Sequence, residues 1–194
     1  MKVALGFKPH SGWTAVVVVA KQNDDYVVLS RRRVELVEEE WAKQPYHAAE
    51  ELEPREAATI VKRGIQSAQK IALREMRAAL KRERNQGNEV AACAVLVGNP
   101  MPKWSVAEIL AVHFRMHQAE GVLFREVLIK AASKCSVPVL ALNEKSLMKE
   151  STSALKTSPE KLQKKIAAIG KIAGPPWSQD QKAATVAAMV ALNS

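Results

Sequence analysis

Three strand-like runs come before anything helical. Residues 2–7, 12–21 and 26–37 are rich in Val, Leu, Tyr and Trp, and turn formers separate them at Lys8-Pro9-His10-Ser11-Gly12 and Gln22-Asn23-Asp24-Asp25. Connections this short force the three strands to run antiparallel to one another. The next regular stretch, residues 54–86, has helical periodicity, with Pro54 where a first turn tolerates proline and Gly87 where a C-terminal stop is expected. Residues 89–97 then form a near-continuous apolar run, as in a strand buried on both faces.

Past the loop Gly98-Asn99-Pro100-Met101-Pro102, Ser105 and Glu108 have capping-box spacing and open a helix that is expected to reach Lys134, bending at Gly121. Residues 137–142 read as a second buried strand, and Asn143 starts a lysine-rich helical segment. Residues 159–171 form an amphipathic helix, Gly174-Pro175-Pro176-Trp177 breaks the chain, and an alanine-rich helix spans 179–192. The order β-β-β-α-β-α-β-α predicts an α/β fold: a mixed five-stranded sheet, three antiparallel strands then two parallel ones, flanked by helices on both faces. A length of 194 residues with 47% hydrophobic residues suits one domain, 1–194, in which 144–194 is a helical C-terminal part.

No apolar run approaches the roughly 20 residues of a membrane span, and the start lacks a signal-peptide pattern, so no membrane partner and a cytoplasmic location are expected. Cys93 and Cys135 sit in apolar surroundings without metal-ligand spacing and are expected to be reduced, buried thiols. The net charge of +9 is blocked along the chain. Residues 35–53 carry seven acids against one base, and residues 54–86 carry nine bases against three acids. Residues 145–171 carry seven lysines against two glutamates. On a helical wheel, Val61, Ile65, Ala68, Ala72, Met76 and Ala79 gather opposite Arg63, Lys70, Arg74, Arg77, Lys81 and Arg84. That basic face is either a solubilising surface or a stripe for nucleic acid or another polyanion.

The segment Val3-Ala4-Leu5-Gly6-Phe7-Lys8-Pro9-His10-Ser11-Gly12-Trp13-Thr14-Ala15-Val16-Val17 resembles the first hairpin of Holliday-junction resolvases, in the ribonuclease H-like superfamily, where a strand ends in Gly-Ile-Asp-Pro-Gly and a following Thr-Gly leads into the second strand. The order of elements extends the resemblance to most of the chain. The superfamily also includes the actin-like ATPases, but this chain is too short for two such domains and has no Walker-type glycine loop. The resemblance implies divalent cations held by an acid on the first strand, one on the fourth and one on the last helix. Here Lys8 stands in the first place, the fourth strand has no carboxylate beyond Glu89, and the last helix offers only Asp180. An ammonium cannot ligate Mg²⁺, so no metal cofactor is expected and two-metal hydrolysis in its usual form is not.

A second constellation owes nothing to the resemblance. On the wheel of the helix beginning at Ser105, His113, His117 and Glu120 fall within the apolar stripe of Val106, Ile109, Leu110, Phe124, Val127 and Leu128. Imidazoles at i and i+4 with a carboxylate three residues on can form a buried polar cluster, a general-base pocket or a metal site, with His10 as a distant further ligand. At the end of the sheet where the first hairpin turns, Lys8, His10, Ser11, Asn99, Asp180 and Lys182 are expected to gather with them and to favour an anionic ligand.

Three readings follow. The first is a ribonuclease H-like protein that binds nucleic acid or another polyanion without cutting it. The second is an enzyme built on His113, His117 and Glu120, with Asp180 nearby. The third is an assembly component, forming a homo-oligomer or other complex, whose alanine-rich terminal helix and lysine-rich segment contact partner chains.

Overall fold

In a computed structural model the chain forms one five-stranded sheet in the order β3-β2-β1-β4-β5. The structure describes residues 1–23 and 25–194; Asp24, in the second expected turn, lies outside the described residues. Strands β1 (Lys2–His10), β2 (Trp13–Gln22) and β3 (Asp25–Glu35) are antiparallel, whereas β4 (Glu89–Val97) and β5 (Val139–Asn143) run parallel to β1. The sheet is thus mixed, as the order of runs predicts. Strand β1 outlasts its expected end at Phe7, because the turn at Ser11 and Gly12 is tight enough to pair His10 with Trp13. Gly12 supplies the positive φ of +82° which that turn requires.

Alternation along β1 and β2 divides the core. Val3, Leu5, Phe7, Val16 and Val18 face one layer, which contains α1 (Pro54–Asn85) and α3 (His113–Lys134). Ala4, Val17 and Val19 face the other, which contains α5 (Pro159–Ala173) and α6 (Gln179–Leu192). Between β5 and α5 lies the short α4 (Leu147–Ala154). Helix α6 lies directly on β1. A Cβ added at Gly6 would fall 1.9 Å from the Ala184 carbonyl oxygen, so only glycine admits this approach. Ala184, Ala187 and Ala188 are fully buried there.

That burial corrects the expectation that the alanine-rich helix contacts partner chains: its small side chains are what let it seat on its own sheet. A second correction concerns the helix after Ser105. The capping box is present, but the helix stops after one turn and a half as α2 (Val106–Leu110) and restarts as α3, which passes straight through Gly121. Arg115 fastens the break, donating to the Glu108 carbonyl at 2.9 Å and lying 4.6 Å over the Trp104 ring. Arg31 of β3 ties down the Gly174–Trp177 turn by donating to the Ala173, Gly174 and Pro176 carbonyls. Trp177 packs there against Gly170. No helix among the described residues is long and apolar enough to cross a membrane.

Candidate functional site

Period two along β1 places Lys8 and His10 on the α6 side of the sheet, at its tip. Strand β5 ends at the same tip, and a 3-10 turn there (Glu144–Ser146), capped by the Asn143 side chain, carries Glu144 back towards β1. The Lys8 ammonium donates to Glu144 Oε2 at 2.7 Å, and the lysine side chain is only 12% exposed. In the first turn of α6, whose capping box is formed by Ser178 and Gln181, Asp180 Oδ1 lies 3.1 Å from His10 Nε2, without hydrogen-bond alignment. His10 stacks on Trp13 at 4.2 Å, and the Arg33 guanidinium lies 3.8 Å from the centre of the Trp13 ring. Beneath Lys8 a hollow of about 770 Å³ opens between the helices; Glu144, Lys171, Trp177, Asp180 and Lys182 share its wall.

The tip therefore holds two carboxylates, each beside a cationic or protonatable side chain. Glu89 does not join them, because it starts β4 at the opposite end of the sheet, beside Lys2. A pair of divalent ions needs shared carboxylates a few ångströms apart. Lys8, aimed at Glu144, takes one of those carboxylates and adds a positive charge, so this donor set does not fit such a pair.

The other expected members of the gathering lie elsewhere. Asn99 borders a separate hollow of about 370 Å³ with Asn143 and Arg125. Ser11 borders a groove with Trp41, Gln44 and His47. His113, His117 and Glu120 belong to a corner on the α1/α3 side.

At that corner Glu120 is buried, but His113 and His117 are exposed, which corrects their expected inward aim. The helical phase resets at the break at Ala111-Val112, so Val106, Ile109 and Leu110 do not continue the α3 stripe. Met116, Ala119 and Leu123 do. Glu120 reaches under the 3-10 turn His47–Ala49. Its Oε1 accepts from the Tyr46 and His47 backbone N–H groups at 3.2 Å each, and its Oε2 lies 2.8 Å from His47 Nδ1. Burial, then the charges of Glu120 and Glu126, push the Tyr46 hydroxyl pKa up. His113 Nδ1 contacts Glu50 Oε1 at 3.3 Å, and His113 Nε2 lies 3.2 Å from His117 Nε2. Three imidazoles, His47, His113 and His117, thus face one another with ring centroids 4.5–5.1 Å apart. His10 is not among them.

His47 and Glu144 were missed by sequence reasoning. The signal for His47 was its place just ahead of α1, the helix that packs on α3. Nothing in the lysine-rich segment singles out Glu144.

Along α1 all six of Arg63, Lys70, Arg74, Arg77, Lys81 and Arg84 are exposed. The acidic stretch folds back over the first part of this face. Glu39 pairs with Arg63 at 3.4 Å and Glu38 with Arg74 at 3.1 Å, while Glu75 also holds Arg74 at 3.0 Å. Hydrogen bonds to Glu38 and then Glu75 raise the Arg74 pKa. Among the described residues, Lys70, Arg77, Lys81 and Arg84 have no acidic partner within 4.0 Å.

No family model and no curated sequence matches the chain. Solved structures do. The Thermus thermophilus RuvC structure superposes with a TM-score of 0.51 at 15% identity, covering 97% of this chain and 92% of that one. T. thermophilus RuvC in complex with a Holliday junction substrate gives 0.52 at 16% identity, over 98% and 92%. Strand order, directions and near-complete coverage agree: this chain has the ribonuclease H-like fold of RuvC.

Proposed function

We propose that this protein is a cytoplasmic, nuclease-fold nucleic-acid binder that does not cut by the two-metal route, and that 1–194 works as a single domain. The observation that carries the reading is the Lys8–Glu144 pair at the strand tip, which puts a cation where the fold's hydrolytic members would need an anion. Binding would use the unpaired part of the α1 face. Lys70, Arg77, Lys81 and Arg84 follow one another at i, i+7, i+11 and i+14, a stripe about 21 Å long at 1.5 Å per residue. A related fold seated on a Holliday junction supports nucleic acid over other polyanions.

The test is salt-dependent affinity for duplex and branched DNA and for RNA. Four cations meeting four phosphates predict a log–log slope of about −3.6 on duplex DNA, falling by about one for each cation removed. Arg77→Glu with Lys81→Glu should weaken binding steeply. Reversing the already paired Arg63 should do less. Binding that ignores salt, or none at low ionic strength, contradicts the reading.

A second reading is favoured by the hollow at the tip, where Lys171 and Lys182, beside a Lys8 already paired with Glu144, share the wall with Asp180 and with apolar and glutamine side chains. It would admit a small anionic ligand. Anion-induced stabilisation lost in Lys182→Ala, with DNA affinity unchanged, would favour it.

A further inference from the structure

The corner formed by His47, His113 and His117 has the composition of a metal site, and it lies on the α1/α3 face of the sheet, whereas Lys8 and Glu144 lie on the α6 face. We propose that these three imidazoles bind one zinc ion, or a first-row ion of like preference, with a fourth position open to solvent. Their candidate ligand atoms all lie within 4.8 Å of one another. Zn–N bonds of about 2.0–2.1 Å in a tetrahedral site put ligand nitrogens roughly 3.3 Å apart. The 3.2 Å between His113 Nε2 and His117 Nε2 already matches that edge. His47 closes the triangle with a modest side-chain movement.

The carboxylates decide which nitrogens are presented. A ring that donates its Nδ1–H to a carboxylate keeps the lone pair on Nε2, and a carboxylate behind a ligating histidine also raises its basicity. Glu120 stands in that relation to His47 at 2.8 Å and Glu50 to His113 at 3.3 Å. Two of the three rings are therefore oriented by an acid behind them. Glu120 is itself held by two backbone N–H groups and is 3% exposed, so it is a rigid, dry anchor. Spacing strengthens the case: His113 and His117 are one turn apart on α3, and Tyr46, Met116 and Ala119 form a packed floor beneath the cluster.

Without a bound ion, the His113 and His117 Nε2 atoms face each other with only one proton to share in a hydrogen bond. A cation between them satisfies both lone pairs. The two glutamates offset its charge. Nitrogen donors select zinc, copper, nickel or cobalt over magnesium, which prefers oxygen. Three protein ligands also leave a position for water, the arrangement that distinguishes reactive zinc sites from closed structural ones.

The test uses the full chain without a polyhistidine tag. Zinc titrated calorimetrically should bind at one equivalent per chain, and cobalt(II) should develop the intense visible absorption of tetrahedral coordination. His113→Ala and His117→Ala alter exposed side chains, so both variants should fold as wild type and lose saturable zinc binding. Glu120→Gln should weaken zinc binding roughly 10–100-fold while the three ligands remain. Magnesium should give no saturable signal at this corner. Failure of the wild-type chain to take up one zinc, uptake that survives the double His113→Ala and His117→Ala change, or the weak spectrum of six-coordinate cobalt overturns the proposal.

Discussion

Carboxylates do opposite things in the two polar regions of this molecule. At the strand tip, Glu144 faces the Lys8 ammonium and Asp180 faces the His10 ring, so each acid meets a positive or protonatable group. At the α3 corner, Glu120 and Glu50 stand behind imidazoles, leaving nitrogens on the far side of the rings directed at one another. Counting acids would rank the regions alike. What each acid is paired with separates them: the first arrangement closes on itself, whereas the second presents donors.

Several changes would break or sharpen that contrast. Glu120→Ala should have the largest effect on stability, about 4 kcal/mol by denaturant unfolding, because it removes the acceptor of two backbone N–H groups and of His47. Gly6→Ala should cost about 3 kcal/mol, since its Cβ meets the Ala184 backbone. It should loosen α6 and the tip, yet spare the α3 corner, which zinc binding would report. Lys8→Met should cost only about 1 kcal/mol, because Glu144 is 40% exposed and water screens the pair. Lys8→Asp reverses the logic of the tip: it should give a chain whose melting temperature rises with added Mg²⁺, which the wild type should not show.

The smallest effect is a control on the sheet between the regions. Burial pushes the Cys93 thiol from 9.0 to about 12. The folded chain therefore holds this proton more tightly than the unfolded one, and the stability it contributes is complete below pH 9 and is lost as the pH rises towards 12. At pH 9 iodoacetamide should label Cys135, which is partly exposed, and reach Cys93 only after unfolding.

Much of this fold was legible because it rests on local signals. The Val- and Leu-rich runs of β1 and β2, Pro54, Gly87 and the Ser105–Glu108 pair each act within a few residues, and the structure keeps them all. The break at Ala111-Val112 was not legible, because no proline or glycine marks it; Arg115 and Trp104 secure it through contacts formed after folding. The error carried directly into the site, since a wheel drawn through a break assigns His113 and His117 to the wrong face. Lys8 is found through the resemblance of the first hairpin, since the strand pattern alone ends β1 at Phe7. Its partner Glu144 lies 136 residues away and is brought close only by the parallel return of β5. Likewise, the acids that cover Arg63 and Arg74 show in the sequence as a charge block, but not as a block folded onto α1.

The central claim is that the strand tip cannot seat the ions of two-metal hydrolysis, because Lys8 takes the anion's place. It is tested most directly by incubating the purified wild-type chain and its Asp180→Asn variant with a branched DNA duplex in Mg²⁺. The account predicts that both leave the duplex intact while it still binds with a steep salt dependence. Magnesium-dependent cleavage by the wild type that disappears in Asp180→Asn would contradict it.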